Sequence, residues 1–166
     1  GVLYYEKNNE FGRKKYEGNF KNDKPEGKGT MYWNNGSWYD GDWVNGLKEG
    51  KGIYLYPNGD RYEGDFKNGI NEGKGVMYWK SGLKYEGDWK NGIKEGKGIM
   101  YFFDGSRYEG DFKNEAIEGK GIMYYNNGDR YEGDFKNNKK EGKGSMYFSN
   151  GKIKQGTWKN DKYKGK

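Results

Sequence analysis

The chain has 166 residues and a net charge of +6, and its 31% apolar residues are outnumbered by 34% charged ones. It has no Cys and no His, which excludes a disulfide framework, Ser–His and Cys–His nucleophiles and the common zinc sites. Its longest apolar run, Ile99 to Phe103, is far too short to span a bilayer. A composition this polar points by itself to disorder, but 19% aromatics and a strict internal repeat point the other way.

Residues 1–15 read as an incomplete copy of the repeat. Gly1-Val2-Leu3-Tyr4-Tyr5 matches Gly75-Val76-Met77-Tyr78-Trp79, and Glu6 to Lys15 then carries five extra residues. Six full copies of 23 residues follow, at 16–38, 39–61, 62–84, 85–107, 108–130 and 131–153. They begin at Tyr16, Tyr39, Tyr62, Tyr85, Tyr108 and Tyr131. A degenerate piece, 154–166, keeps Gly156 and Trp158 but loses the Tyr, Glu and Asp. There is no linker and no shift of composition, so 1–166 is expected to be one array.

Within a copy the period is two. In Tyr62-Glu63-Gly64-Asp65-Phe66 the Tyr, Gly and Phe share one face and the acids the other. In Gly73 to Trp79 both Gly, Met77 and Trp79 share a face, opposite Lys74, Val76 and Tyr78. Short alternating runs bounded by turn residues are strands. Gly recurs too often for a helix, at about 0.5–1 kcal/mol each relative to Ala. Asn58-Gly59, Ser81-Gly82, Asp104-Gly105, Asn127-Gly128 and Asn150-Gly151 predict tight hairpin turns. The other link, such as Lys67 to Glu72, reads as longer and polar. Each copy is thus two antiparallel strands, and the end pieces bring the expected number to fourteen.

If Phe66 faces Gly73, then Gly64 faces Gly75, Tyr62 faces Met77 and Asp65 faces Lys74. Rings then lie over glycine backbone, as in the aromatic cover of sheet glycines. The same register predicts a charge ladder of Asp42–Lys51, Asp65–Lys74, Asp88–Lys97, Asp111–Lys120 and Asp134–Lys143. Keeping Trp79 beside Tyr85 on the ring face calls for a bulge at the short Gly turn.

The repeated Tyr-Glu-Gly-Asp-Phe/Trp-Lys-Asn-Gly, followed by Glu-Gly-Lys-Gly and an aromatic before Asn/Asp-Gly, resembles the MORN repeat family. Tyr54 to Gly64 is an especially close copy. The pattern departs at Asp40, at Glu115-Ala116 and from Lys152 to Thr157. The resemblance implies an all-β, elongated, single-layer, twisted antiparallel meander of hairpin repeats. It also implies a non-catalytic module of the kind that accompanies lipid kinases, junctional membrane proteins, protein methyltransferases, and ciliary or cytoskeletal scaffolds. The family name carries a proposal of membrane binding.

Two aromatic columns are expected to form the core between copies. One is the Tyr column; the other is Phe20, Trp43, Phe66, Trp89, Phe112, Phe135 and Trp158. A single sheet cannot cover every ring, so Trp33, Tyr56, Trp79, Phe102, Tyr125 and Phe148 are expected to stay partly open as a partner-binding stripe. Lysines in the links are the candidate contacts for anionic lipid: Lys90, Lys94, Lys113, Lys136, Lys139 and Lys140. Positive and negative residues alternate closely, so no nucleic-acid partner is expected. The Gly-Lys-Gly triplets lack the following Ser/Thr and helix of a phosphate cradle. Carboxylate pairs such as Glu63 with Asp65 recur identically in every copy, unlike a catalytic dyad. No cofactor, metal or enzymatic activity is expected.

The expected function is a non-catalytic scaffold that binds protein partners of cytoskeletal, ciliary or membrane-associated assemblies through the aromatic face. One alternative is a peripheral membrane module that binds anionic phospholipids or phosphoinositides through the link lysines. Another is a regulatory module of a larger enzyme, such as a lipid kinase. A reducing cytoplasm, with membrane or cytoskeletal association, is the default compartment. The uncharged edge Val2 to Tyr5 is expected to come from a longer array. Alone, it is expected to pair with another copy as a homodimer or end to end.

Overall fold

A computed structural model describes residues 1–166. The chain divides into two compact units, Gly1–Lys80 and Ser81–Lys166. The first holds β1 (Val2–Tyr4), β2 (Arg13–Lys21), β3 (Lys24–Trp33), β4 (Trp38–Val44), β5 (Leu47–Leu55), β6 (Arg61–Lys67) and β7 (Ile70–Tyr78). The second holds β8 (Lys84–Lys90), β9 (Ile93–Tyr101), β10 (Arg107–Lys113), β11 (Ala116–Tyr124), β12 (Arg130–Lys136), β13 (Lys139–Tyr147), β14 (Ile153–Lys159) and β15 (Lys162–Gly165). Within each unit, every strand pairs antiparallel with its neighbours in the chain. The fold is therefore the expected all-β meander of hairpin repeats. It has fifteen strands rather than fourteen, because the last four-residue stretch also pairs.

The two kinds of link are the reverse of the expectation. The tight turn is Asn68-Gly69, between β6 and β7, with φ of 49° and 83°. Two central residues with positive φ give the type I′ twist that matches paired strands. Asn114-Glu115 and Asn160-Asp161 adopt the same turn without glycine. The expected hairpin turn at Asn58-Gly59 is instead a five-residue loop, Tyr56 to Asp60. Tyr56 N–H donates to the Asp60 carbonyl at 2.8 Å, and Gly59 N–H donates to the Tyr56 carbonyl at 3.0 Å.

The bulge also sits elsewhere, within the tight hairpin. Gly64 faces Gly75 and Tyr62 faces Met77, as expected, but Phe66 faces Asn71 rather than Gly73. The ladder is broken between Gly64 and Phe66. There the Asp65 carboxylate accepts the Lys74 N–H at 3.0 Å and occupies the space beside Gly73, whose φ is +81°. A Cβ on Gly73 would lie 2.9 Å from that carboxylate oxygen, so only glycine fits this turn of the strand.

This geometry corrects the charge ladder. Asp42, Asp65, Asp88, Asp111 and Asp134 each accept the backbone N–H of the lysine expected to pair with them, at 2.9–3.2 Å. The ammonium groups come from the other side: Lys28 pairs with Asp42, Lys51 with Asp65, Lys97 with Asp111 and Lys120 with Asp134. The bulge turns each carboxylate toward the backbone within its own hairpin. The regular register on the opposite edge sets Lys51 directly against Asp65. The Lys28 hydrogen bond holds Asp42 below the usual carboxylate range, against the opposing effect of burial.

The core consists of the two expected columns. Tyr16, Tyr39, Tyr62, Tyr85, Tyr108 and Tyr131 are all 0% exposed. Each hydroxyl donates to a carbonyl three residues on, as from Tyr62 to Asp65 at 2.9 Å. The Tyr62 ring lies on glycine backbone, where a Cβ on Gly75 would come within 2.2 Å of its hydroxyl oxygen. Phe66 stands edge-on between Tyr62 and Tyr39, with ring centroids 5.0 Å from both. Such pairs contribute about 0.5–1.5 kcal/mol beyond simple burial. Phe20 is the exception at 38% exposed; it packs on Tyr16 alone among the Tyr column.

Candidate functional site

The two faces of the sheet are chemically different. On the face opposite the core rings, cations lie over the tyrosines. Arg61 covers Tyr78, Arg107 covers Tyr124 and Arg130 covers Tyr147, at 4.1–4.6 Å from ring centroids. The same arginines pair with Glu63, Glu109 and Glu132. Charge therefore satisfies charge there, and the rings are capped.

On the ring face no arginine caps the rings of the repeats; lysines approach some of them, as Lys48 does Tyr54 at 4.1 Å and Lys140 does Tyr125 at 5.6 Å. Trp33, Tyr56 and Trp79 in the first unit are half-buried, as are Phe102, Tyr125 and Phe148 in the second. Each stands at the start of a five-residue loop. Trp33, Tyr56, Phe102, Tyr125 and Phe148 donate their N–H to the last carbonyl of that loop at 2.8–3.0 Å. Their own carbonyls accept the loop glycine's N–H at 2.9–3.2 Å. Two backbone hydrogen bonds thus fix the root of each of these five rings, leaving little backbone freedom to lose when a partner binds. Trp33 packs edge-on to Tyr54 at 5.8 Å, and Tyr54 on Tyr56 at 4.6 Å.

The link lysines divide into two groups. Lys90, Lys113, Lys136 and Lys139 are exposed beside the tight turns. None of the six is a link residue: those four end or begin strands β8, β10, β12 and β13, and Lys94 and Lys140 lie further inside β9 and β13 and turn onto the ring face. Lys94 is only 7% exposed and its amine pairs with Glu115. The Lys140 amine lies 4.9 Å from the Trp158 ring centroid and 3.4 Å from the Tyr125 hydroxyl. Burial pushes its pKa down, with Asp161 opposing. The short turn leaves no room for a long polar link, so these residues belong to strands.

They mark a position that reading the links as loops had hidden. Pro25, Lys48, Asn71, Lys94, Ile117, Lys140 and Tyr163 each stand directly opposite the Phe/Trp column. This is the place on the ring face where the copies differ most in chemistry. The signal was present in the sequence. Counting back by twos from Gly75 through Gly73 reaches Asn71 on the ring face, and the same count in each full copy lands on this residue. Lys48 is the exceptional member. Its amine lies 4.1 Å from the Tyr54 ring centroid and 5.5 Å from that of Phe66, and burial pushes its pKa down to about 8. With Phe11, Arg13, Trp33, Trp43 and Leu47 it lines a cavity of about 190 Å³.

The profile of the MORN repeat matches residues 16–38, 39–61, 62–84, 85–107, 108–130, 131–153 and 155–166. The chain belongs to the MORN repeat family. The two compact units thus divide a run of MORN repeats rather than two kinds of domain. No curated protein matches the chain. Among solved structures, it is similar to the TCP domain of SAS-4 (dCPAP) of Drosophila melanogaster, solved in complex with a proline-rich motif of Ana2 (dSTIL). That likeness has 16% identity and a TM-score of 0.46, over 80% of this chain and 84% of that one. It is also similar to the TCP10 domain of Danio rerio CPAP in complex with a peptide of Danio rerio STIL. There the identity is 11% and the TM-score 0.36, over 80% of each chain. Neither likeness is close enough to transfer a function.

Proposed function

We propose that this MORN array is a non-catalytic scaffold whose aromatic face binds segments of partner proteins. The observation that carries the reading is the contrast between faces. Rings on one face are capped by arginines that pair with glutamates; on the other the loop-rooted rings are half-open above a closed core, with Lys140 beside Tyr125. Pre-positioned aromatics of this kind are the usual hot spots of protein interfaces. An extended or helical segment crossing several repeats would meet one such ring in each. The cytoskeletal, ciliary or membrane-associated setting belongs to the same proposal.

The alternative, binding to anionic membrane surface, would rest on Lys90, Lys113, Lys136 and Lys139, the four exposed members of the lysine set. Such binding would be electrostatic and salt-sensitive. It would appear in flotation with anionic vesicles and vanish on changing those four lysines to Gln.

The decisive comparison for the protein-binding reading is Trp79→Ala against Phe66→Ala. Phe66→Ala removes a ring held between two core tyrosines and should cost about 3–5 kcal/mol in urea unfolding. Trp79→Ala should cost less than half of that, while weakening capture of partner segments by about tenfold or more. Equal loss of stability in the two variants would make Trp79 core and overturn the assignment.

A further inference from the structure

We propose that the cavity between Trp33, Trp43, Phe11, Leu47, Arg13 and Lys48 receives a carboxylate side chain of a protein partner, an Asp or Glu flanked by apolar residues. The inference rests on the reading of the ring face as a protein-binding surface and names the chemistry that one part of it selects. Trp33 belongs both to the open aromatic stripe and to the wall of this cavity, so a segment crossing the stripe passes over it.

Three copies provide an internal comparison. Lys48, Lys94 and Lys140 occupy one repeat position, each opposite a core ring: Trp43, Trp89 and Phe135. The residue that can compensate each lysine lies 21 positions further on, at the second place of the next tight turn. For Lys94 it is Glu115, whose carboxylate accepts both the Lys94 N–H and its amine. For Lys140 it is Asp161, which accepts the Lys140 N–H at 2.8 Å. For Lys48 it is Gly69, which brings no side chain to that place; only its N–H reaches back, to the Lys48 carbonyl at 2.8 Å.

No other carboxylate of the cavity's surroundings compensates Lys48. Glu26 and Glu49 point to the tight turns, where they accept the N–H of Asn45 and Asn68 at 2.9 Å. None of the residues around the cavity is acidic. The second cation, Arg13, has no carboxylate partner either. Its guanidinium faces the Phe11 ring at 4.8 Å. Its backbone is fixed by Asn9, which accepts the Arg13 N–H at 2.9 Å and donates to its carbonyl at 2.6 Å. The extra residues before the first full repeat thus place a permanently charged group beside Lys48, whose amine is desolvated by the rings.

Two cations among four apolar side chains favour an anion that brings apolar neighbours with it. The volume, about 190 Å³, is below the roughly 300 Å³ at which drug-sized ligand sites begin. It suits a single side chain rather than a cofactor. A carboxylate between Arg13 and Lys48 would form charge-assisted hydrogen bonds.

The test uses the whole chain and a displayed library of random peptides about 12 residues long. Peptides enriched on the unaltered protein should carry Asp or Glu next to an aromatic or aliphatic residue, and replacing that acid by its amide should weaken binding about tenfold. Two variants probe the site from the protein side. Gly69→Glu supplies the missing anion in cis, at a turn position where Glu115 already adopts φ of 73° and where a Cβ at Gly69 meets nothing within 4 Å. Arg13→Gln removes the other cation without touching the core. Each should weaken the enriched peptides about tenfold, with circular dichroism and urea midpoint showing the fold intact. If the peptides bind all three proteins alike but lose binding on Tyr56→Ala, the aromatic face stands and the carboxylate site falls. If the unaltered protein enriches no peptide, both fall. If Gly69→Glu instead abolishes flotation with phosphatidylserine vesicles and leaves peptide binding unchanged, the site belongs to lipid phosphate and the proposal is overturned.

Discussion

Lys48 in the first unit and Lys94 in the second hold the same place in the repeat and meet opposite fates. Both stand across from a core Trp and turn onto the ring face. Lys94 is closed over by Glu115 and becomes part of the core. Lys48 sits among Tyr54, Phe66 and Tyr39 without a carboxylate, at the wall of a cavity. The difference arises from one residue in the following turn, Gly69 against Glu115. Burying an ammonium is costly, and a partner at hydrogen-bonding distance offsets that cost. A repeat array can therefore turn one position from a closed ion pair into an uncompensated cation without altering a strand.

Breaking the compensated pair should have the largest effect. Glu115→Ala leaves the Lys94 amine with its desolvation and without its carboxylate. Because Glu115 is half-exposed, about 2 kcal/mol of stability should be lost, below the 3–5 kcal/mol of a fully buried pair. Urea unfolding reads this directly. Adding Lys94→Met should restore most of it, since the ring pocket accepts an apolar side chain of similar length. A double variant no more stable than Glu115→Ala would show that Glu115 acts through the turn and not through the amine.

Removing the uncompensated cation should act in the opposite direction. Lys48→Met should stabilise the protein by roughly 1–2 kcal/mol at pH 7, a figure already discounted for the partial exposure of the amine. The folded pKa of Lys48, about 8, lies below its ordinary value of 10.5. Between those values the unfolded chain holds a proton that the folded chain has released, so stability rises with pH. The penalty is present in full below pH 8 and fades above it. The advantage of Lys48→Met should accordingly shrink as pH rises from 8 to 10. Taking the difference between the two proteins cancels the ionisation of the buried tyrosines that both share. An advantage that stays constant over this range would mean that Lys48 is not desolvated.

The smallest effect should sharpen the comparison. Gly69→Glu converts the Lys48 environment toward that of Lys94, and the Lys48 pKa should move back up toward 10.5. A titration of the lysine ε-carbon resonances reads it. The gain in stability should stay under about 1 kcal/mol, because the new pair is partly exposed and the new side chain adopts a positive φ. No movement of the Lys48 resonance would separate the carboxylate at this turn from the lysine it is meant to meet.

That the candidate stripe would be half-open was readable in the sequence. Trp33, Tyr56, Trp79, Phe102, Tyr125 and Phe148 are half-open because each stands at or just past the end of its strand, where the next turn of chain no longer covers it. The lysine set was less legible. Lys94 and Lys140 lie close to Asn-Gly and Asn-Asn dipeptides, and a polar run there reads as a loop. In the structure the strand continues through them, since a two-residue type I′ turn consumes only Asn91-Gly92 or Asn137-Asn138. Proximity to a turn in sequence is a poor guide to exposure when the turn is that short.

By itself the sequence determined the repeat frame, the family, the antiparallel strands and the buried tyrosine column. These rest on local physics: period-two alternation, glycines spaced to lie under rings, and turn residues that tolerate positive φ. Only the tertiary structure decided which of the two links is the tight one, where the bulge falls and which lysine meets which aspartate. Lys51 pairs with Asp65, 14 residues away in the next repeat, because the bulge commits the other oxygen of Asp65 to the backbone of its own hairpin. The isolation of Lys48 is of the same kind. It depends on residue 69, across a strand pair, and a glycine there is locally the best turn residue the chain could use. The local rule that favours Gly69 is the one that leaves Lys48 without an internal carboxylate, and only the register between neighbouring repeats brings the two positions together.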